Sequence, residues 1–249
     1  MIHLRNEREI EAIRYSCQIV VETLLMVGEI IQEGMTTADL DAEIEKFITR
    51  RRARPAFKGY KGFPASACIS LNDEVVHGIP NNKVIKKGDL VKVDVGVEYN
   101  GYFGDAAMTY SIGEPDEETA RLMRVTKEAL MIGIEQAQYG KRLSDISHAI
   151  QKHVEGAGYN VVRQLVGHGI GKKLHEDPQV PNYGRPGRGP RLRPGMVLAI
   201  EPMVNAGTYD VVTDEDGWTV RSADGSLSAH YEHTVVIRKN EAEILTKGL

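Results

Sequence analysis

Two aspartates, Asp94 and Asp105, interrupt a segment whose alternating apolar and polar residues otherwise predict a β-hairpin. The segment VDVGVEYNGYFGDAAMT (93–109) has Asn100-Gly101 at its centre, the dipeptide typical of a two-residue type I′ turn. With that turn, strand alternation and cross-strand pairing place both aspartates on the same face. Their Cα atoms are then roughly 7–8 Å apart, so the carboxylates can converge.

The predicted register also pairs Gly96 with Asp105, which is expected to leave room beside the two acids. Two ionised carboxylates at that distance on a buried face repel each other and are poorly solvated. Such a pair is stable only if one acid is protonated or if cations lie between them. The hairpin alone leaves both explanations open.

A weak internal repeat adds two further acids. The segment KKGDLVKVD (86–94) resembles RPGMVLAIE (193–201), which matches Asp94 with Glu201, and Asp105 before AAMTYSI resembles Glu232 before HTVVI. Both glutamates lie in β-like segments, and we identify no matching buried lysine or arginine for the four carboxylates. Four acids in symmetric register therefore favour a bound cation over four unrelated edge or bulge positions.

A histidine in a glycine-rich segment indicates which kind of cation. The segment QLVGHGIGKKLHEDP (164–178) contains His168, and the glycine on each side lets the backbone approach closely and exposes the ring. Oxygen ligands alone suit Mg²⁺ or Ca²⁺, whereas an imidazole shifts the preference to transition metals. The histidines expected to have ordinary core or surface roles are His3, His148, His153, His230 and His233.

The resulting donor set can hold two divalent ions with bridging carboxylates. Its members are Asp94, Asp105, His168, Glu201 and Glu232. In such sites the ions lie roughly 3.5–4 Å apart and share a water whose pKa falls toward ~7. Co²⁺, Mn²⁺, Fe²⁺ and Zn²⁺ all suit these ligands. The sequence therefore predicts a hydrolase that attacks amide or phosphoester bonds with a metal-bridging hydroxide.

The repeat also predicts the elements that position these residues. A helical period runs through 7–51, with a break at QEGMTTADL after which Thr37 is expected to cap the second helix, and it recurs over 117–156. The matched positions are Gly34 with Gly140 and Asp39 with Asp145. Each half therefore consists of two helices followed by antiparallel strands.

We expect a single α+β domain over 1–249, with pseudo-symmetric halves at about 7–112 and 117–238. The 249 residues carry a net charge of −4, which gives no reason to expect nucleic acid or an anionic membrane as a partner. No apolar run approaches the ~18 residues that a membrane span needs. Cys17 and Cys68 are in no metal or redox spacing, which fits a reducing cytoplasm.

Five separated blocks resemble the type I methionine aminopeptidases in order and spacing. They are FKGYKGFPASACISLNDEVVHGIP, KVDVGVEYNGYFGDAAMT, GHGIGKKLHEDP, IEPM and YEHT. The similarity covers essentially the whole chain from about Glu9, and the length resembles the short bacterial form. The resemblance implies a pseudo-two-fold "pita-bread" fold, with an antiparallel sheet covered by helices. It also implies removal of the initiator methionine from nascent proteins whose second residue is small.

The resemblance assigns individual roles. Asp94 would bind one metal with both oxygens, while Asp105 and Glu232 would bridge the two ions. His168 and Glu201 would complete the other site. Glu201 would also shuttle the proton, His77 would contact the substrate near the scissile amide, and His175 would hydrogen-bond the carbonyl oxygen.

The resemblance further implies a methionine pocket built from Tyr60, Phe63, Cys68, His77 and Trp218. Two positions depart from the family pattern, since Phe63 replaces a frequent tyrosine and Leu174 a frequent aromatic residue. Asn72, Glu74 and Ser228 match positions that hold a monovalent cation in relatives. The expected partners are nascent polypeptide N-termini at the ribosome, and the expected state is a cytoplasmic monomer.

Two alternatives stay open from the residues alone. A proline-specific aminopeptidase or dipeptidase of the same fold would have the same five ligands, although such relatives typically carry a large additional N-terminal domain. A non-catalytic pita-bread protein that binds ribosomes or nucleic acid is the second, although such proteins generally lose ligands. Cleavage of Met-Ala-Ser compared with Xaa-Pro peptides separates these possibilities.

Overall fold

Four α-helices occur in two pairs in the computed structural model, which describes residues 1–249. They are α1 (Glu7–Ile30), α2 (Thr37–Arg50), α3 (Glu117–Gln136) and α4 (Leu143–Gly156). These bounds agree with the helical periods predicted from the sequence. None of the four combines the length and the apolar character needed to cross a lipid bilayer.

Short antiparallel strands form the rest of the regular structure. In the first half they are β1 (Arg54–Pro55), β2 (Cys68–Leu71), β3 (Glu74–Val76), β4 (Leu90–Tyr99) and β5 (Tyr102–Ser111). In the second half they are β6 (Asn160–Val161), β7 (Gly167–Gly169), β8 (Glu176–Val180), β9 (Val197–Ile200), β10 (Met203–Asn205), β11 (Val211–Thr213), β12 (Val220–Ser222), β13 (Ser228–His230), β14 (His233–Val236) and β15 (Glu243–Ile244).

The strands divide into four small sheets rather than one. Their orders are β1-β4-β2 with β5 paired to β4, β13-β10-β6, β11-β12-β3, and β15-β14-β9-β7-β8. The β11-β12-β3 sheet joins the two halves, because β3 comes from the first half and its neighbours from the second. The helices and antiparallel sheets together make the α+β class expected from the sequence.

Local geometry repeats between the two helix pairs. Gly34 and Gly140 precede the second helix of each pair and have φ values of +90° and +87°, which glycine adopts without strain. Asp39 and Asp145 then accept from the backbone N–H at the helix N-cap. The N-cap of α2 is Thr36 and not Thr37 as predicted.

Each helix pair covers its own apolar core. Val20, Leu24 and Ile44 of α1 and α2 pack against β2 and β4, while α3 and α4 form a second core with β9, β10 and β13. A third cluster, which includes Ile10, Phe57 and Val197, joins α1 to strands of the second half. The site described below lies between the halves, where this third cluster meets β4 and β5.

Candidate metal centre

The β4–β5 hairpin has the predicted register. Asn100 and Gly101 form its turn with φ values of +50° and +81°, as a type I′ turn requires. Asp94 pairs with Ala107, and Asp105 pairs with Gly96. The two aspartates therefore share one face of the hairpin.

The space beside Gly96 is not open to the two acids. The prediction that Gly96 leaves room beside Asp94 and Asp105 was therefore wrong. A Cβ atom at this position would lie 2.5 Å from Cε1 of Phe57 and 3.1 Å from Cβ of Ala56. The ring of Phe57 thus occupies the room beside Asp105 and forms part of the site wall. Its chain segment lies about 40 residues earlier in the sequence, so hairpin alternation could not predict this contact.

Glu201 and Glu232 lie in a gap between two ladders. β9 pairs with β14 and β10 pairs with β13 in one common register, which places the two glutamates opposite each other. The sequence placed both acids within strands, but Pro202 has no N–H to continue the ladder between them. The N–H of Glu232 instead donates to the Ala107 carbonyl at 3.0 Å, which holds this gap against the β4–β5 hairpin.

His168 lies on β7, where its two flanking glycines are required by close packing. A Cβ atom on Gly167 would lie 2.4 Å from the Ala199 carbonyl oxygen, and one on Gly169 would lie 2.3 Å from that of Asp177. Any side chain at either position would therefore push β7 away from its neighbours β8 and β9. The predicted reason for the glycines, close backbone approach, agrees with this packing.

The ring of His168 is oriented for ligation through Nε2. Its Nδ1 lies 2.9 Å from the Gly169 carbonyl oxygen, which accepts a proton only if Nδ1 carries it. Nε2 then has a free lone pair, 3.5 Å from Oε1 of Glu201 and 3.8 Å from Oδ2 of Asp105. Burial lowers the pKa of His168 to about 4, so the ring is neutral at physiological pH.

The structure brings every predicted catalytic, ligand and pocket residue to one cavity of about 160 Å³. The cavity is lined by Phe57, Tyr60, Lys61, Phe63, Cys68, His77, Asp94, Asp105, His168, Leu174, His175, Glu201, Trp218 and Glu232. It is smaller than the ~300–1,000 Å³ typical of sites for drug-sized ligands. Its size therefore suits one side chain beside the cluster of acids.

The donor atoms fit a divalent cation. Ligand atoms of Asp105, His168 and Glu232 lie within 4.8 Å of one another. Oδ1 of Asp94, Oδ1 of Asp105 and Oε1 of Glu232 are buried and have no hydrogen-bond partner. Buried carboxylate oxygens without partners are costly unless a cation or a proton neutralises them. The imidazole in the set favours a transition metal.

The pKa values of the four carboxyl groups also favour a bound cation. Burial raises the pKa of Asp94 to about 7, and burial with neighbouring carboxylates raises those of Asp105, Glu201 and Glu232 well above their usual range. Four crowded, buried acids can ionise together only if positive charge compensates them, and a bound cation would supply that charge.

Metal-free protein is therefore expected to lose stability as pH rises from about 4 to above 7. The folded-state pKa of Asp94, about 7, exceeds its ordinary value of 3.8. Folding thus favours the protonated acid, and this advantage disappears as the acid ionises. Because buried histidines with lowered pKa values contribute the opposite pH dependence, the effect of the metal is the measurement: the Tm difference between saturating Mn²⁺ and chelator should be larger at pH 8 than at pH 5.5. Equal chelator-induced changes in Tm at both pH values would contradict the account.

Asp105→Asn is expected to stabilise the metal-free protein while weakening metal binding. The substitution removes one charge from the crowded cluster, and an amide can hydrogen-bond Asp94. At pH 8 with a chelator, we expect a Tm increase of about 3 °C, because ~1 kcal/mol corresponds to ~2–4 °C at this chain length. Calorimetric titration should show Mn²⁺ affinity reduced by at least about tenfold. A lower Tm combined with unchanged affinity would contradict this assignment.

His175 and Tyr60 form a polar pair at the cavity mouth. The Nδ1 atom of His175 lies 3.0 Å from the Tyr60 hydroxyl, and the two rings stack at 5.1 Å. Although the His175 ring meets solvent, partial burial and the nearby His168, Lys61 and His77 lower its pKa to about 3. A neutral ring that accepts from Tyr60 at Nδ1 has its proton on Nε2.

The opposite wall of the cavity is apolar. Phe63 is buried and contacts Trp218 edge-on, with ring centroids 5.2 Å apart. Cys68 pairs with Asp94 in the sheet, and burial beside the acids raises its thiol pKa well above the usual value. The thiol is therefore protonated and part of the pocket surface. Leu174, at 1% exposure, completes this wall.

Two buried residues near the acids were missed in the sequence. Lys92 lies two positions before Asp94 on the site face of β4, which corrects the expectation that no buried lysine accompanies the acids. It forms no ion pair; its Nζ donates to the Asn72 carbonyl at 2.6 Å. His230, expected to be ordinary, has both ring nitrogens unpartnered, with Nε2 3.8 Å from Glu201 Oε2. Strand alternation from Asp94 could have identified Lys92.

The three positions expected to hold a monovalent cation lie close together. The Ser228 N–H donates to the Asn72 carbonyl at 3.1 Å. The Glu74 carboxylate is buried and accepts from Arg221 Nη2 at 2.8 Å and from the Leu71 N–H at 2.7 Å. The Asn72 carbonyl is thus already bonded by Lys92 and Ser228.

Comparison with known proteins identifies close relatives over the full length. The model of metallopeptidase family M24 matches residues 11–239. A methionine aminopeptidase of Clostridium acetobutylicum is 58% identical over 99% of both chains. The crystal structure of a Thermotoga maritima methionine aminopeptidase superposes with a TM-score of 0.97 at 50% identity, covering 99% of this chain and all of that one.

A prolidase from Pyrococcus furiosus shares the fold more distantly. It has a TM-score of 0.82 at 26% identity and covers 99% of this chain, but this chain spans only 66% of the prolidase. The pita-bread architecture expected from the sequence is confirmed by these neighbours. The additional length of the prolidase agrees with the expected extra domain of the proline-specific enzymes.

Proposed function

The chain belongs to metallopeptidase family M24 and, within it, to the methionine aminopeptidases, and from that premise we propose that it removes the initiator methionine from polypeptides whose second residue is small. The observation that supports this most strongly is the single small cavity in which an apolar wall meets five potential metal ligands. The apolar wall suits the methionine side chain, and the ligands suit hydrolysis of the bond beside it.

The proposed metal ligands are Asp94, Asp105, His168, Glu201 and Glu232. The donor set suits two divalent ions among Co²⁺, Mn²⁺, Fe²⁺ and Zn²⁺, and the unpartnered carboxylate oxygens of Asp94, Asp105 and Glu232 support this. When bound, such ions supply Lewis acidity to the carbonyl and lower the pKa of the attacking water. Asp105 and Glu232 would hold the ions together with His168, since ligand atoms of these three residues lie within 4.8 Å of one another.

Glu201 is the proposed proton shuttle. Its carboxylate lies at the cavity wall between His168 and His230, 3.5 and 3.8 Å from their Nε2 atoms. A carboxylate there can accept a proton from water and give it to the leaving amine. Burial and the neighbouring Asp94 and Asp105 raise the pKa of this carboxyl group.

His175 and His77 are the proposed substrate contacts. The Nε2–H of neutral His175 can donate to the scissile carbonyl oxygen and stabilise negative charge that develops there. His77 follows β3 and has a φ of +59°, a sparsely populated conformation for a residue with a side chain. It reaches the same cavity, and burial lowers its pKa, so it contacts the substrate as a neutral ring.

The methionine side chain is proposed to bind in a pocket that includes the apolar wall. The pocket residues are Tyr60, Phe63, Cys68, His77 and Trp218, with Phe57 and Leu174 beside them. Thioether sulfur interacts favourably with aromatic rings at about 5 Å. Phe63 and Leu174, the two departures from the family pattern, both face this cavity, so they tune the shape of the pocket without removing a ligand.

The proposed catalytic unit is one domain over 1–249 that acts as a monomer in the cytoplasm. The first half supplies Asp94 and Asp105, and the second half supplies His168, Glu201 and Glu232. One chain therefore contains the whole site. Both cysteines are free and buried, which suits a reducing compartment. The proposed partners are the N-termini of nascent polypeptides at the ribosome, with no role for nucleic acid.

A peptide panel tests this function. Purified protein with Mn²⁺, Co²⁺ or Fe²⁺ should release methionine from Met-Ala-Ser, and release should fall when the second residue is large. Preference for Xaa-Pro peptides would support the proline-specific alternative. Failure to cleave any peptide with any of these metals would support a non-catalytic binding protein.

A further inference from the structure

Lys92 is one of the largest fully buried side chains in the protein, with 1% exposure. It lies on β4 between its partners Ser70 of β2 and Thr109 of β5. Burial of a lysine is rare unless its ammonium group is paired. Here Nζ forms no ion pair and instead donates to the Asn72 carbonyl oxygen at 2.6 Å.

The Asn72 carbonyl is held in place from several directions. Asn72 has a φ of +50°, and its own N–H donates to the Leu90 carbonyl at 2.9 Å. Its side chain bonds Asp89 at 3.0 Å and the Leu90 N–H at 3.0 Å. The carbonyl therefore points at a fixed place, where it also accepts from Ser228 of β13.

Lys92 is not needed to neutralise Glu74, a buried acid outside the metal cluster. That carboxylate already accepts from Lys83 Nζ, Arg221 Nη2 and the Leu71 N–H. The Nζ group of Lys92 donates to a carbonyl oxygen, which is the kind of ligand that holds monovalent metal ions in proteins.

The contact between Lys92 and the Asn72 carbonyl lies near the start of three segments that carry residues of the site. Lys92 precedes Asp94 by two residues on the same face, Asn72 precedes β3 and His77, and β13 leads to Glu232. We propose that Lys92 is a positioning residue whose Nζ group occupies the place of a monovalent cation beside the Asn72 carbonyl, so that this enzyme needs no bound Na⁺ or K⁺ at Asn72, Glu74 and Ser228. Only the measurement of peptide cleavage rests on the proposed function; the Rb⁺ peak and the Tm do not.

The test compares the full-length wild type with Lys92→Ala and Lys92→Met in Na⁺, K⁺, Rb⁺ or choline chloride at equal ionic strength. Wild-type cleavage of Met-Ala-Ser should not depend on the cation. Lys92→Ala should lose at least about tenfold in choline, the lower end for residues that orient metal ligands, and should regain most of it in K⁺ or Rb⁺. Lys92→Met should lose a similar factor without rescue, because its side chain fills the space.

A matched control and a second readout separate positioning from general damage. Lys46→Met removes a half-exposed cation from α2 and should show no dependence on the ion. Crystals of Lys92→Ala grown in Rb⁺ should show an anomalous peak beside the Asn72 carbonyl, and wild-type crystals should show none. The Tm of Lys92→Ala should rise in K⁺ relative to choline.

Three results would overturn the proposal: full activity of Lys92→Met, full activity of Lys92→Ala in choline, or a Rb⁺ peak at Asn72 in the wild type. If Lys92→Ala folds only in K⁺, the proposal is supported. If wild-type protein cleaves no methionyl peptide, the proposed function fails, while the Rb⁺ peak and the ion-dependent Tm still decide the role of Lys92.

Discussion

Glu201→Gln is expected to lower kcat for Met-Ala-Ser by more than about 100-fold, the combined effect of a lost ligand charge and a lost proton acceptor. The amide keeps the shape of the side chain at the gap between the β9 and β10 ladders but cannot take a proton. Steady-state kinetics at saturating Mn²⁺ measures the effect. Glu128→Gln on the exposed face of α3 is the matched control and should be unaffected.

Metal titration distinguishes the two roles of Glu201. If the residue were only a ligand, enough Mn²⁺ would restore turnover in the glutamine variant. We expect restored metal occupancy, measured calorimetrically, without restored turnover. Activity within about threefold of wild type would show that another group transfers the proton.

His175→Ala is expected to lower kcat by roughly 100-fold or more, because removal of one oxyanion donor costs about 2.7–4 kcal/mol in other enzymes. The effect should appear in kcat more than in KM, since the bond to the carbonyl oxygen strengthens as charge develops there. Metal affinity should change little, because Nδ1 of His175 bonds Tyr60 and not the acid cluster.

Two variants make the His175 prediction specific. His3→Ala removes an exposed imidazole from the groove next to the site and should leave kcat unchanged. Tyr60→Phe removes the hydroxyl that orients Nδ1 and should cause a smaller loss of kcat than His175→Ala. If His175→Ala kept the wild-type kcat, the carbonyl would be polarised by another group.

The local part of the site follows from the sequence alone. Asn100-Gly101 admits one turn type, the turn determines the register, and the register places Asp94 and Asp105 on one face. The glycines beside His168 similarly indicated close backbone contact, which the packing against Ala199 and Asp177 explains. In both cases the constraint acts within a few residues of the chain.

Contacts between distant segments could not be predicted in the same way. Phe57 fills the space beside Gly96 because the third apolar cluster brings two remote segments together. Strand alternation could have predicted the direction of Lys92, which was missed, but not its partner, since Asn72 belongs to a different strand connection. The pairing of Glu201 with Glu232 across a gap likewise depends on two ladders whose shared register appears only in the folded chain.

Methionine release by this chain is proposed to depend on divalent ions held by five side chains from both halves. The most direct measurement is methionine release from Met-Ala-Ser by chelator-stripped protein as Mn²⁺ is added in steps. We predict no release before addition and an increase that saturates by about two ions per chain, the capacity of a dinuclear site. Undiminished release with the chelator present, or none at any Mn²⁺, Co²⁺ or Fe²⁺ concentration, would contradict it.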